Sequence, residues 1–181
     1  DDVQETEKWI DHIKEEFAAA ADPVQFINLN SDTRHAGTFT QLSNVPANLQ
    51  DFVKKEDKKS VFGPYQEEGS FKVAKLLEVA DRPDSVHARH ILLAPGETMT
   101  IEQTKSVADS LARLIKTGAS FDKLARETSL DEGSAQIGGD LGWFPEGRMV
   151  VPFNNACFTA KKGEILTVET NYGIHVIEIL A

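Results

Sequence analysis

The sequence predicts an α+β fold in two parts, and three observations predict it. Segments with apolar residues at three- and four-residue spacing alternate with short runs that read as strands. Two β-rich runs, Val86–Leu93 and Ile174–Leu180, stand at opposite ends of the second half and are free to pair with each other. Between the halves, Ala80-Asp81-Arg82-Pro83-Asp84-Ser85 is polar and carries a proline that blocks helix and sheet ladders. The boundary is placed there, giving parts 1–85 and 86–181.

Residues 3–21 read as an amphipathic helix, with Trp9, Ile10, Ile13 and Phe17 as its apolar stripe. Asp22-Pro23 then reads as an N-cap followed by proline at the first helical position, opening a short helix through Leu29. Residues 30–45 are polar and turn-rich, Pro46–Val53 reads as a third short helix, and Lys54–Lys59 as a charged turn. A β run follows Lys58-Lys59, and Ser70–Val79 alternates as a strand after Gly69. In the second half, Val86–Leu93 is a strand ended by Pro95-Gly96. Thr100 with Gln103 matches a capping box for a helix whose stripe is Thr104, Val107, Ala108, Leu111 and Leu114/Ile115, stopped at Gly118. Ser120 caps another helix with Phe121, Leu124 and Ala125 inward. Gly138-Gly139-Asp140-Leu141-Gly142-Trp143-Phe144 is a glycine-dense turn into a short strand, and Pro152–Phe158 a short helix. Gly163 opens a final hairpin, Ile165–Glu169 and Ile174–Leu180, turning at Asn171-Tyr172-Gly173.

The 181 residues carry a formal net charge of −10, which repels phosphate backbones and anionic membrane surfaces. Nucleic-acid binding is therefore not expected, and with no run of eighteen apolar residues neither is direct membrane insertion by this segment. One cysteine, Cys157, excludes an intramolecular disulfide and reads as a buried thiol rather than a nucleophile. The chain opens at Asp1 without a methionine and reads as a mature or excised piece.

The halves share a rhythm. A short helix near a proline (Pro46 or Pro152), a lysine pair, a β run, a glycine and an alternating strand recur in the same order. The first half thus reads as a degenerate copy without its opening strand. It lacks the glycine-dense turn, and Phe71 stands where the second copy has His175. The alternative is an unrelated helical arm with a hairpin.

Two histidines carry the candidate chemistry. His90 shares a strand face with Leu92, and His175 shares one with Ile177 and Ile179, so both are expected to be buried. Each alone reads as a satisfied core histidine; as a pair they gain interest if the first and last strands are adjacent. His87 and His90 lie on opposite faces of one strand, and there is no cysteine cluster and no HExxH helix, so no metal is expected. No Gly-x-Ser-x-Gly elbow is present, and no lysine follows Gly138-Gly139 at P-loop spacing. The residues alone stop at an α+β domain with two buried histidines and a glycine-rich turn.

His90-Ile91-Leu92, Ser134-Ala135 leading to Gly138–Phe144, Pro152-Phe153 and Tyr172-Gly173-Ile174-His175 resemble, in order and spacing, the parvulin-type peptidyl-prolyl cis/trans isomerases. The resemblance covers residues 86–181, and the whole chain resembles a fragment of a periplasmic chaperone-isomerase of the SurA or PpiD type. It implies a four-stranded antiparallel sheet wrapped by about four helices, preceded by a smaller, non-catalytic unit. It implies that His90 and His175 sit side by side on central strands, joined by Thr170. Asp131 falls near the site that holds Cys or Asp in the family, with Glu132 a weaker substitute. Leu141, Met149, Phe153 and Phe144 match the apolar residues that receive the proline ring, and Tyr172 stands where some members have Ser. The implied substrates are X-Pro bonds of proline-containing unfolded or exported polypeptides, with no cofactor; the alternative is a non-catalytic peptide-binding chaperone module. The loop Ala94–Thr100 has no basic cluster, so no phosphate-directed specificity is expected. The implied location is the periplasm or cell envelope of a Gram-negative bacterium.

Overall fold

The computed structural model describes the backbone of residues 2–181 and the side chains of residues 4–181. The chain divides into two compact units, Asp1–Asp81 and Arg82–Ala181.

In the first unit, α1 (Asp2–Ala19) buries Ile10, Ile13 and Phe17, which recur at i, i+3 and i+7. Trp9, expected in that stripe, is 52% exposed, because it lies one position off the buried line. In α2 (Pro23–Asn30) the N-cap Asp22 accepts the Gln25 amide at 2.9 Å, and Phe26 stacks on Phe17 with ring centroids 5.3 Å apart. A one-turn 3-10 helix at Leu42–Asn44 leads to α3 (Ala47–Lys54), which buries Leu49. β1 (Val61–Glu67) and β2 (Ser70–Lys75) form an antiparallel hairpin. The second strand stops well before the expected Val79, because Lys75 already pairs with Val61, the first residue of its partner. Lys75 instead caps α1: its ammonium donates to the Phe17 and Ala18 carbonyls at 3.2 and 3.0 Å.

The second unit is an antiparallel sheet in the order β4-β3-β6-β5, built from β3 (Ser85–Leu93), β4 (Asp140–Pro145), β5 (Ile165–Thr170) and β6 (Gly173–Ile179). The four helices are α4 (Ile101–Lys116), α5 (Phe121–Thr128), α6 (Glu132–Ala135) and α7 (Val151–Thr159). The sheet and helix arrangement is the one expected, although α6 was not anticipated as an element. The Thr100–Gln103 capping box closes in both directions, a device worth about 1 kcal/mol to the start of α4.

Strand alternation divides the core. On one face Ile91, Leu93, Ile174 and Val176 pack against Ala108, Leu111 and Ile115 of α4 and Phe121 and Ala125 of α5. On the other, Val86, Ala88, Ile177 and Ile179 pack with Phe144 of β4 and with Phe153, Cys157 and Phe158 of α7. Cys157 belongs to this second core, and burial pushes its thiol up to about 12, so it stays protonated and inert. His90 and His175 project from the central strands onto this same α7 face, at its end.

Candidate active site

The strand pairing brings the histidines together. His90 lies opposite Ile177 and Leu92 opposite His175, so the two imidazoles are diagonal neighbours on one face. Their Nδ1 atoms are 3.0 Å apart and their rings stack with centroids at 5.2 Å and 19° between planes. Both are buried, at 6% and 4% exposure, a costly place for an imidazole without hydrogen-bond partners.

The partners form an unbroken series. Thr170 Oγ1 is 2.8 Å from His175 Nε2, and His90 Nε2 is 2.7 Å from Asp131 Oδ2. The Ser134 hydroxyl donates to the same Asp131 oxygen at 2.5 Å, and the Tyr172 amide donates to Thr170 Oγ1 at 3.1 Å. With Asp131 ionised and both imidazoles neutral, only one set of directions gives every contact a donor and an acceptor. His90 Nε2–H donates to Asp131, His175 Nδ1–H donates to His90, and Thr170 O–H donates to His175. A proton added at His90 reverses the inner bonds, so that His90 donates to His175 and His175 to Thr170.

The electrostatics favour an ionised Asp131 and a neutral His175. The Ser134 hydroxyl, and behind it His90, hold the Asp131 carboxyl below the ordinary carboxylate range against the opposing effect of burial. Burial, followed by the charge that His90 can carry, lowers His175 to about 4, so it is neutral near pH 7.

Asp131 is fixed from the backbone. The loop before α6 docks on the edge of β3, where the Leu130 amide donates to the Leu92 carbonyl at 2.8 Å and the Leu92 amide to Ser129 Oγ at 3.0 Å. The glycine-dense turn docks on the same edge: the His90 amide donates to the Gly139 carbonyl at 2.8 Å. Gly139 has φ +81°, and a Cβ there would lie 2.2 Å from the His90 carbonyl oxygen, so the turn requires glycine.

Phe153 stands edge-on to both imidazoles, 5.7 Å from His90 and 5.1 Å from His175. Leu141 and Met149 are half-buried and pack on the hydrophobic cluster to which Phe153 belongs. Phe144 is 2% exposed, 6.3 Å behind Phe153 and against Phe158, where it supports the wall from within. Tyr172 is exposed and enters the network through its amide. Glu132 is exposed at the start of α6 and has no hydrogen bond to either histidine.

Two network residues were given no role from the sequence, although Ser134 stands in the Ser134-Ala135 motif. Ser134 stands three residues after Asp131, the spacing that places both on one face of a helical turn, but α6 is too short to leave an apolar stripe. Ser129 acts on a backbone amide and leaves no pattern. His87 faces away, with Nε2 2.7 Å from Asp140 Oδ1 and its ring 5.5 Å from Trp143, so it cannot share a ligand with His90. Among the described residues no group of three or more His, Cys, Asp or Glu is placed to hold a metal ion.

A family model described as the PPIC-type PPIase domain matches residues 71–181. The chain belongs to the PpiC-type, or parvulin, family of peptidyl-prolyl isomerases. Its curated relatives include a chaperone SurA of Methylococcus capsulatus, 32% identical over 145 residues, or 77% of this chain and 32% of that protein. A putative peptidyl-prolyl cis-trans isomerase, Cbf2, of Campylobacter jejuni is 43% identical over 100 residues, covering 53% of this chain and 35% of the relative. The chain thus spans about a third of the length of these relatives. Among solved structures, the peptidylprolyl isomerase PrsA of Bacillus anthracis aligns over 54% of this chain and 41% of its own, at 33% identity and a TM-score of 0.47. No helix among the described residues is long and apolar enough to cross a membrane.

Proposed function

We propose that residues 82–181 catalyse cis/trans isomerisation of X-Pro bonds in unfolded or exported polypeptides, without phosphate specificity. The observation that carries this is the continuous hydrogen-bond series Thr170–His175–His90–Asp131 against the apolar surface of Leu141, Met149 and Phe153.

An X-Pro amide turns slowly because resonance must be broken, a barrier of roughly 18–20 kcal/mol. The twisted amide separates less charge than the planar one, so a site that solvates charge separation poorly favours the twisted form. Leu141 and Met149 hold the pyrrolidine ring, with Phe153 behind them, while the carbonyl side rotates. The Asp131 carboxylate lies beside that carbonyl and repels the more negative oxygen of the planar amide more strongly than that of the twisted one. This is preference for the transition state over the ground state, with no bond made or cleaved. The histidines orient Asp131, and Thr170 fixes the tautomer of His175; none of them is a nucleophile.

Residues 1–81 serve as a degenerate, non-catalytic copy of the same unit. Supporting this, α3, β1 and β2 follow one another as α7, β5 and β6 do, and both hairpins turn over two residues, closing at Glu67–Ser70 and Thr170–Gly173; that register puts Lys72, rather than the Phe71 expected from the sequence, at the place of His175. The SurA-named relatives come from Gram-negative bacteria, which supports a periplasmic location and a chaperone role for the parent protein.

A protease-coupled assay with a proline peptide tests the isomerase reading. Acceleration of the slow phase, lost in Asp131→Ala, supports it. No acceleration, with suppressed aggregation of an unfolded protein, would favour the second reading, a peptide-holding chaperone module.

A further inference from the structure

We infer that Ser134 is a positioning residue of the site: its hydroxyl, with His90, ties down one oxygen of Asp131 so that the other is presented, ionised, to the substrate. This deepens the isomerase reading and rests on Asp131 acting there.

The hydrogen bonds of Asp131 are unevenly divided. Oδ2 receives the Ser134 hydroxyl at 2.5 Å and His90 Nε2 at 2.7 Å. Oδ1 receives no side-chain hydrogen bond among the described residues, the Ser134 backbone amide adds its own hold on the carboxylate, and the side chain is 33% exposed. A carboxylate held by two donors on one oxygen cannot flip without breaking both, so Oδ1 is the atom left to face a bound peptide.

Ser134 is itself anchored at 6% exposure. Its carbonyl accepts the Ile137 and Gly139 amides at 2.9 and 2.8 Å, and Gly139 in turn accepts the His90 amide at 2.8 Å. The links close a ring: His90 imidazole to Asp131, Asp131 to Ser134 hydroxyl, Ser134 carbonyl to Gly139, Gly139 to His90 backbone. Ser134 is therefore the point where the carboxylate is locked to the turn that carries Leu141. The ring couples the orientation of the charge to the position of the apolar wall.

The titratable groups around Asp131 are His90 from β3, His175 behind it on β6, and the exposed Glu132 on α6. None of these replaces a lost Ser134 hydroxyl, because His90 is already engaged with Oδ2 and His175 reaches only His90. Removing the hydroxyl takes away the largest influence that holds the carboxylate ionised, so Asp131 must take up its proton at higher pH. A residue serving only packing would change stability without moving that titration.

The test is carbon-13 NMR of the full chain labelled at aspartate carboxyls, with Asp131 assigned through Asp131→Asn, alongside the pH profile of kcat/KM. In Ser134→Ala the Asp131 titration and the acid limb of kcat/KM should both move to higher pH, and Ser134→Thr should restore them. Should Ser134→Ala fail to fold, Ser134→Cys, with a weaker donor of similar size, should give an upward shift. An Asp131 titration unmoved in Ser134→Ala or Ser134→Cys, or moved equally in Ser134→Thr, would overturn the assignment. The carboxyl titration needs no substrate. If the chain turned over no proline peptide, the isomerase reading would fall while the NMR still decided the role of Ser134.

Discussion

His90 and His175, 85 residues apart in the chain, meet Nδ1 to Nδ1 at 3.0 Å across the two central strands. Neither can be satisfied without the other. His90→Ala removes the acceptor of His175 and a donor to Asp131, leaving buried polar groups unpaired. Denaturant unfolding should show a loss of about 2–4 kcal/mol, together with loss of isomerisation. A fully stable and fully active His90→Ala would show that the network is dispensable.

The sequence made much of this site legible because its signals are local. Alternation along Val86–Leu93 and Ile174–Leu180 put His90 and His175 on defined faces, and the capping pattern at Thr100 marked the start of a helix that forms as expected. Asp131 and Thr170 left no local pattern and came only from the resemblance to the parvulin family. What stayed hidden depends on contacts between distant segments. The strand expected to Val79 stops at Lys75 because its partner begins at Val61, a matter of hairpin register. Trp9 has the right spacing for a buried stripe but points outward. Phe144 reads as a pocket residue from its motif, yet the packing of Phe153 and Phe158 puts it in the core. Ser134 was visible as part of the Ser134-Ala135 motif, but its role shows only once α6 folds its hydroxyl back onto Asp131.

Gly139 and Gly142 separate backbone strain from collision. Both have positive φ, but a Cβ at Gly142 meets nothing within 4 Å, whereas one at Gly139 meets the His90 carbonyl oxygen at 2.2 Å. Gly142→Ala should cost about 1 kcal/mol and Gly139→Ala about 3 kcal/mol or more, measured by urea denaturation. The larger loss should be accompanied by displacement of the His90 resonances in NMR spectra.

The low pKa of His175 makes stability pH-dependent. In the unfolded chain it takes a proton near 6.5, and in the folded chain only near 4. Its contribution is fully present above about 6.5 and is lost as pH falls toward 4, because the unfolded state then binds the extra proton. The loss should approach about 3 kcal/mol, an order-of-magnitude figure from the shift. Unfolding free energies between pH 7 and pH 4.5 should fall more steeply in the wild type than in His175→Gln. Equal slopes would contradict a neutral buried imidazole.

Met149 probes the apolar wall more cleanly than Phe153. Phe153 is 3% exposed and contacts both imidazoles, so Phe153→Ala should cost about 3–5 kcal/mol of stability along with any loss of binding. Met149 is half-buried at the surface. Met149→Ala should leave folding nearly intact and raise KM by about tenfold, the loss of roughly 1–2 kcal/mol of contact with the ring. Steady-state kinetics with a short proline peptide provides the check.

Exchange NMR on an Ala-Pro peptide mixed with the full chain reads cis/trans interconversion without a coupling protease. Exchange cross-peaks between the cis and trans resonances should appear at catalytic amounts of chain and vanish when Met149→Glu places a second charge against the ring. Cross-peaks that are absent with the wild type, or that persist unchanged with Met149→Glu, would contradict catalysis by the His90–Asp131 network with Met149 holding the ring.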